Sequence, residues 1–306
     1  LNTNSKIFCS CPTSGDENPN TRVCEVCTGM PGSKPVLNKE ALNQAIKAAI
    51  ALGCKVSTET FFSRKNYFYP DLAKNYQISQ YEIPIGIGGK LEGIRIRRIH
   101  LEEDPGALIH KNGICLIDYN RSGIPLIEVV TDPDFKSPNE ARLFLRKLIT
   151  ILEYLNIYTR KSEATMKADA NISTSGEKVE IKNITGLKEI ERALEYEATR
   201  QEKEPAKQQE THGWDSEKGI TFLQRIKEEE ADYGYIFDSD LPKIEIQKIL
   251  QEKIKKQIPE LSLEKILRFK KQYNLQAEDA ETLSAEKTLA ELFEKVAEEI
   301  DPILAA

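Results

Sequence analysis

The residues best suited to chemistry lie between Gly93 and Val130. Three consecutive acids, Glu102–Asp104, follow His100, and a fourth acid, Glu128, lies inside the apolar run Ile124–Val130. Neighbouring carboxylates, and a carboxylate among apolar side chains, cost free energy unless a cation or strong hydrogen-bond donors stabilise them. Mg²⁺ takes oxygen ligands, often one or two carboxylates together with phosphate oxygens. The stretch therefore predicts a Mg²⁺–phosphate site, although a solvated strand end beside an edge-strand Glu explains it equally well.

A second candidate site is a group of cysteines near the start of the chain, with the spacing C-x-C-x12-C-x-x-C. Its members are Cys9, Cys11, Cys24 and Cys27. Two close pairs of thiolates can surround a tetrahedral Zn²⁺, and a set that fills all four positions is structural and not catalytic. In a chain with no secretory signal, such pairs indicate a metal more than disulfides. We expect the two remaining thiols, Cys54 and Cys115, to be packed.

The segment Ser63–Tyr81 interleaves aromatic rings and amides with the cations Arg64, Lys65 and Lys74. Stacking faces beside cations can hold a nucleotide or an RNA end. A packed, aromatic-rich loop is an equally good explanation of this composition. The glycine-rich piece Gly86–Lys90 lacks the G-x4-G-K-[ST] spacing of a phosphate loop and predicts a hairpin turn instead.

Strands are predicted around the acids and again further along the chain. The near-alternation of Ile94, Ile96 and Ile99, and the β-branched run before Val130, are typical of strands. Residues 164–174 alternate strictly and the chain returns over 178–183, which predicts a hairpin with one polar face. That face carries Lys167, Asp169, Asn171, Glu180 and Lys182. It is either a solvated sheet surface or the wall of a polar cavity.

Helices are predicted where caps and apolar stripes coincide. Asn38 caps a helix over 39–52, Ser137 begins a capping box for a helix to about residue 155, and 187–204 is amphipathic. From Pro242 on the pattern is helical, and its last clear helix covers 284–300. The polar residues 202–218 predict a loop in which His212 is solvated.

The totals limit the class of protein. The 306 residues, 40% apolar and 30% charged, are those of a globular chain with one large domain or two ordinary ones. The net charge of −6 argues against broad nucleic-acid binding, which needs a basic face. Neither an apolar run long enough for a membrane span nor a signal peptide is present. Because the chain lacks an initiator Met and begins near a strand-like segment, we expect it to start inside a longer protein.

Several long strings resemble the B subunits of the aspartyl/glutamyl-tRNA(Asn/Gln) amidotransferases, and their archaeal branch most of all. The resemblance covers about residues 1–242. Its strings are Arg64–Asp71, Tyr76–Tyr81, His100–Asp104, Asp118–Glu128 and Ala168–Asn171. It implies an α+β fold: a cradle-like domain over 1–241 with an antiparallel sheet and a zinc knuckle at 9–29, then a helical domain over 242–306 that is incomplete at its C-terminus.

The resemblance also implies an activity, cofactors and partners. ATP would phosphorylate the side-chain carboxylate of Glu or Asp mischarged onto tRNA, and ammonia from a glutaminase (A) subunit would displace the phosphate. A small C subunit would complete a cytoplasmic heterotrimer, with Mg²⁺ and structural Zn²⁺ as metals. Glu103 and Glu128 match the Mg²⁺ carboxylates, while Lys65, Glu103 and Asp169 match an ammonia path. We assign the nucleotide contacts to Arg64, Tyr69, Asn120 and Arg121.

The sequence departs from the family pattern in several places, and two rival functions are also considered. A first strand bearing metal-site residues should precede Leu1, a tRNA-gripping tail should follow Ala306, and Gly234 stands where bacterial members have Arg. A chain without these parts should bind tRNA poorly and have little activity alone. The rivals are the E-type paralogue, disfavoured because no large insertion precedes residue 242, and a non-catalytic zinc-knuckle scaffold that binds RNA.

Overall fold

The computed structural model describes residues 1–159, 166–226 and 234–306. Its helices are α1 (Lys39–Ala51), α2 (Pro138–Tyr154), α3 (Leu187–Lys203), α4 (Lys248–Lys255), α5 (Ser262–Gln272), α6 (Ala277–Ser284), α7 (Lys287–Val296) and α8 (Pro302–Ala305). Its strands are β1 (Lys55–Val56), β2 (Glu59–Thr60), β3 (Ser63–Asn66), β4 (Tyr76–Ser79), β5 (Gly86–Ile87), β6 (Lys90–Leu91), β7 (Ile94–Glu103), β8 (Ala107–Lys111), β9 (Ile114–Asp118), β10 (Pro125–Thr131), β11 (Lys167–Ile172), β12 (Val179–Thr185), β13 (Glu210–Asp215), β14 (Ile220–Ile226), β15 (Gly234–Phe237) and β16 (Ile244–Glu245). The mixture confirms the predicted α+β class, and within the described ranges every strand pair is antiparallel except β12 with β13.

The chain forms two compact units. The first contains Leu1–Asp132, Thr150–Thr159 and Tyr233–Ala306, and the second contains Pro133–Ile149 and Arg160–Asp232. This division differs from the boundary predicted at residue 241, because the C-terminal helices group with the N-terminal part of the chain. Among the described residues, no helix has the length and hydropathy needed to cross a bilayer.

The first unit is built around β7. It pairs with β5, β6 and β10, and β5 pairs in turn with β1. Helix α1 packs on this sheet, and Asn38 caps it by accepting hydrogen bonds from the backbone N–H groups of Glu40 and Ala41, as the sequence predicts. The predicted turn at 86–90 is wrong, because Gly86 and Lys90 belong to the short strands β5 and β6 and the chain turns at Glu92 and Gly93.

The C-terminal helices have an apolar cluster of their own within the first unit. Phe269 and Phe293 are buried at its centre, with ring centroids 4.9 Å apart, and the ring of Tyr154 at the end of α2 joins them. The predicted last helix is shorter than expected: α7 covers Lys287–Val296, and Ser284 ends the preceding helix.

The second unit combines α3 with the sheet β11-β12-β13-β14. The predicted hairpin is confirmed within the described residues as β11 paired with β12, and residues 164–165 of its predicted first strand lie outside them. Ala168, Ala170 and Ile172 pack towards a core that includes Ile181 and Ile184. The alternation in the sequence thus separates a packed face from a polar one.

The predicted loop over 202–218 is wrong, because residues Glu210–Asp215 form β13 between β12 and β14. His212 is buried and not solvated: its Nε2 lies 2.8 Å from Oε2 of Glu210. Glu197 of α3 is also fully buried and accepts hydrogen bonds from Arg200 and Thr221. Most of the polar atoms of these side chains are hydrogen-bonded, so a segment with few apolar residues can occupy the interior of a sheet.

Candidate active site

The candidate site is a cluster of His100, Glu102 and Glu128 on one face of the β7–β10 pair. His100 and Glu102 are two residues apart in β7, and Glu128 lies directly opposite His100 in β10. Because side chains alternate along a strand, this register puts all three on the same face. Nδ1 of His100 lies 3.7 Å from Oε1 of Glu102 and 3.7 Å from Oε2 of Glu128.

The electrostatics of this cluster resemble those of a cation site. Burial alone would raise the pKa of Glu102, but the interaction with His100 and a hydrogen bond of 2.6 Å from Ser79 Oγ outweigh it and lower that pKa. Partial burial raises the pKa of Glu128, and the charge of Glu102 raises it further. His100 and Glu102 are buried, whereas the side chain of Glu128 is 52% exposed. The cluster is therefore open to solvent at Glu128.

The donor set fits a divalent cation. One ligand atom from each of the three residues lies within 4.8 Å of the others. The two carboxylate oxygens suit Mg²⁺ or Mn²⁺, and an imidazole nitrogen is a further ligand for a divalent transition metal. A cation would also relieve the repulsion from Glu102 that helps to raise the pKa of Glu128. In addition, Nε2 of buried His100 has no hydrogen-bond partner within the described part of the chain.

Two cations and a tyrosine border the cluster. The charges of Lys65 and Arg98 lower the pKa of Glu128, which partly opposes its burial. Tyr235 faces Lys65 across the β15–β3 pair, and its ring stacks on Tyr81 with centroids 4.0 Å apart. Burial raises the pKa of Tyr235, followed by the negative charges of Glu102 and Glu128. The sequence pattern predicted no role for Arg98 or Tyr235, and nothing local to either residue indicates one.

Glu103 does not join this cluster. It follows Glu102 in β7, so its side chain lies on the opposite face of the strand. Its Oε2 is 2.6 Å from Nζ of Lys74 and its Oε1 accepts a hydrogen bond of 2.8 Å from the N–H of Ile78. The predicted pairing of Glu103 with Glu128 is therefore corrected: the acid that meets Glu128 is Glu102. The i, i+2 spacing of His100 and Glu102 is the sequence signal that could have identified it.

Three of the four residues assigned to nucleotide contacts are engaged within the protein. Arg64 donates to both carboxylate oxygens of Asp238, at 3.1 Å each, and to Asp240. Arg121 donates to the carbonyl oxygens of Pro105 and Gly106. Both guanidinium groups therefore help to hold the frame of the unit, and a contact of either with a nucleotide stays a prediction.

The other two residues of that group differ from each other. Asn120 is buried, accepts a hydrogen bond from the N–H of Arg22 and donates to the carbonyl oxygen of Asn18, so it too holds the frame. Tyr69 is exposed. A contact between Tyr69 and a nucleotide stays a prediction.

Asp169, assigned to the ammonia path, belongs to the second unit, whereas Lys65 and Glu103 belong to the first. Its carboxylate lies on the polar face of β11, 3.6 Å from Nζ of Lys182. The predicted polar face of the hairpin is therefore present, and its role as the wall of a passage stays a prediction.

The cysteine cluster is assembled as predicted. The Sγ atoms of Cys9, Cys11, Cys24 and Cys27 lie within 4.8 Å of one another. The backbone N–H of Cys24 donates to Cys27 Sγ at 3.2 Å. A hydrogen bond with Cys9, followed by the Cys24 N–H and the charge of Lys6, lowers the pKa of the Cys27 thiol although burial opposes this shift. Four converging sulfur atoms fit a tetrahedral metal ion.

The two isolated cysteines differ. Cys54 is buried, as expected, and burial raises its pKa to about 11. Cys115 is exposed in the hairpin β8–β9, so its predicted packing is wrong. Both faces of that two-stranded hairpin are largely exposed, which leaves the thiol no core to enter.

The sequence of the chain is similar to those of known proteins over most of its length. A family model described as the GatB/GatE catalytic domain matches residues 1–252. A protein of Haloquadratum walsbyi, named as the B subunit of an aspartyl/glutamyl-tRNA(Asn/Gln) amidotransferase, is 44% identical over 342 residues, covering 100% of this chain and 68% of that protein. Proteins of the same name from Thermodesulfovibrio yellowstonii (48%, covering 96% of this chain and 66% of the relative) and Methanospirillum hungatei (47%, 100% and 68%) are similar too. The chain thus spans about two thirds of the length of these relatives.

Proposed function

The chain belongs to the GatB/GatE catalytic domain family, and from this premise we propose that it is the synthetic part of a tRNA-dependent amidotransferase. A side-chain carboxylate oxygen of Glu or Asp on a mischarged tRNA attacks the terminal phosphorus of ATP, and ADP leaves. Ammonia then attacks the carbonyl carbon of the acyl phosphate and expels phosphate. The products are Gln-tRNA(Gln) and Asn-tRNA(Asn). The names of the relatives favour this B-type function over that of the E-type paralogue.

The observation that carries the proposal is the cluster of His100, Glu102 and Glu128. Phosphoryl transfer requires little from a protein except positioning and compensation of charge. These three residues would hold Mg²⁺ beside the phosphates. When bound, Mg²⁺ supplies charge neutralisation at the phosphoryl oxygens. Glu128 is the exposed member, so it is the ligand that faces an incoming substrate.

Lys65 and Arg98 supply positive charge at the same place, since both act on the carboxylate of Glu128. Fixed cations beside a transferring phosphoryl group stabilise the charge on its oxygens. The stacked rings of Tyr81 and Tyr235 border this region and would exclude water from one side of it.

The partners and the structural metal follow from the same family. We propose that a glutaminase (A) subunit and a small C subunit complete the enzyme, because the relatives are named as one lettered subunit of an amidotransferase and other subunits must therefore exist. Aminoacylated tRNA as substrate implies a cytoplasmic enzyme. The four cysteines are proposed to hold Zn²⁺, because four thiolates without an open position form a structural site.

Amidation assays test the proposed function. The chain in its full-length form, assembled with the A and C partners, is expected to convert Glu-tRNA(Gln), Asp-tRNA(Asn) or both to the amide in a reaction that needs ATP and Mg²⁺. Release of ADP should match amide formation. Amidation that continues without ATP, or that occurs with neither tRNA, would contradict the proposal.

An ammonia path is the finer part of the proposal. Lys65, Glu103 and Asp169 are assigned to it, and the charged pair Asp169–Lys182 on the polar face of β11 and β12 suits a wall that conducts a small polar molecule. Asp169→Asn in the complete enzyme is expected to reduce glutamine-dependent amidation by roughly tenfold to a hundredfold, the effect of misplacing a positioning group. Amidation with free ammonium should be nearly unchanged.

The matched control is Glu217→Gln, an exposed acid of the same unit, which should leave both rates unchanged. Equal rates for Asp169→Asn and wild type with both nitrogen sources would remove Asp169 from the path while leaving the ATP-dependent chemistry in place.

A further inference from the structure

A lysine without any solvent exposure lies beside the cysteine cluster. The side chain of Lys6 is 0% exposed. Its Nζ donates a hydrogen bond of 3.5 Å to Sγ of Cys27 and one of 3.2 Å to the carbonyl oxygen of Tyr119. Within the described residues, Lys6 forms no ion pair with a carboxylate. Burying an ammonium group costs several kcal/mol unless an anion compensates it, so Cys27 is the anionic partner that this lysine requires.

The backbone around the cluster leaves room for this contact. Gly123 has φ +84°, and a Cβ added there would lie 3.5 Å from Cδ of Lys6 and 3.6 Å from Cβ of Cys27. Ser122 Oγ donates to the carbonyl oxygen of Cys27 at 3.2 Å. The Tyr119–Gly123 turn therefore contacts both the lysine stem and the cysteine, and holds them together.

When the cysteine cluster holds Zn²⁺, its net negative charge favours a cation beside the sulfur atoms. Four thiolates carry more negative charge than one Zn²⁺ can neutralise, and the excess lies on the sulfur atoms. A charge-assisted hydrogen bond to one sulfur stabilises that excess, as hydrogen bonds from beyond the ligands do at other metal sites. Lys6 is the ammonium group that the structure places at that distance from a sulfur of the cluster.

We propose that Lys6 is the buried counter-cation of the cysteine cluster and a positioning residue for its metal. This inference rests on the proposed zinc site. It assigns Lys6 a second task as well, because the bond to the Tyr119 carbonyl ties the metal site to the turn that follows β9. Zinc affinity and the position of that turn are thereby linked through one side chain.

Zinc competition tests the inference with a readout other than enzyme activity. Lys6→Met keeps the length of the side chain and removes its charge. In competition with a chromophoric chelator, its zinc affinity is expected to fall about tenfold to a hundredfold, the usual cost of losing a partner just outside the ligands. Lys6→Arg, which keeps the charge, should regain part of that loss. Lys39→Met, at an exposed position, should match wild type.

Two further variants separate charge from folding. With Co²⁺ in the site, removing a cation beside the thiolate should move the sulfur-to-cobalt charge-transfer band to lower energy in Lys6→Met. Gly123→Ala strains the same place but keeps the lysine, so the band should not move. Cys9→Ala should lose the metal altogether.

Equal zinc affinity and an unshifted cobalt band in Lys6→Met would overturn the role of Lys6. So would an equal loss of affinity in Gly123→Ala, since that loss would come from strain and not from charge. A wild-type chain that holds no zinc would overturn the zinc site itself, and this inference with it. The amidation assay is independent of these outcomes.

Discussion

Replacing Glu102 with Gln in the complete enzyme is expected to lower ATP-dependent amidation by about a hundredfold or more, the effect of removing one charged group that stabilises a transition state. Glu102 contributes a buried carboxylate to the cluster with His100 and Glu128. Its amide replacement keeps the hydrogen bond with Ser79 but lacks the negative charge that binds a divalent cation. Direct titration with Mn²⁺ in the absence of tRNA should show a corresponding loss of cation affinity.

The neighbouring acid provides the decisive comparison. Glu103→Gln changes the next residue of β7, whose side chain is held by Lys74 on the other face. It should keep cation binding while losing stability. Glu59→Gln, at an exposed position of β2, should keep both. Cation binding that disappears in Glu103→Gln and survives in Glu102→Gln would reverse the assignment of the site.

The same variants discriminate between the proposed enzyme and a non-catalytic RNA-binding scaffold. A scaffold has no use for a cation between His100, Glu102 and Glu128, so its function should survive the loss of either acid. In the proposed enzyme, Glu102→Gln and Glu128→Gln should both lower amidation strongly, while glutamine binding by the partner subunit continues.

The elements of this fold with strong local signals could be predicted from the sequence. Asn38 and the apolar stripe behind it identify α1 almost to the residue, and the alternation around Asp169 identifies β11. The position of β13 could not be predicted in this way. Its strand is stabilised by pairing with β12 and β14 and by Glu197 of α3, whose carboxylate lies 3.9 Å from Nδ1 of His212. Such contacts between distant segments are invisible to a local pattern.

The candidate site could be predicted from the sequence only in part. The sequence identifies the acids of β7, but a burial pattern does not separate them, because His100, Glu102 and Glu103 are all buried. The i, i+2 spacing of His100 and Glu102 is the local signal that indicates which acid shares the face of the histidine. Asn120 is a similar case. Its partners Asn18 and Arg22 are about a hundred residues away, and only the fold reveals that they use its amide group.

Lys74→Met is expected to destabilise the first unit by about 3–5 kcal/mol, the cost of leaving one member of a buried ion pair without its partner. The side chains of Lys74 and Glu103 are 9% and 5% exposed, and Nζ lies 2.6 Å from Oε2. Among the described residues, loss of the ammonium leaves the N–H of Ile78 as the remaining donor to the Glu103 carboxylate. Lys55→Met, an exposed lysine of β1, should cost little.

Lys74 also contacts the turn that follows the cysteine cluster. A Cβ added at Gly29, just after the last cysteine of the cluster, would lie 2.5 Å from Cγ of Lys74, so the cysteine turn packs directly on this lysine. Its Nζ then reaches Glu103, the neighbour of Glu102. Lys74 thus connects the proposed zinc site to the strand that carries the proposed Mg²⁺ ligands.

A double substitution separates the charge from the packing. Lys74→Met with Glu103→Gln removes both charges, and the new amide oxygen can still accept from the Ile78 N–H, so stability should return to within about 1–2 kcal/mol of wild type because no uncompensated charge remains. The single tryptophan, Trp214, belongs to the second unit, so its fluorescence does not report on this pair. Amide hydrogen exchange at Ile78 and Leu101 does. If the double variant were as unstable as the sum of its single variants, Lys74 would act by packing on Gly29 and the two sites would not be joined by charge.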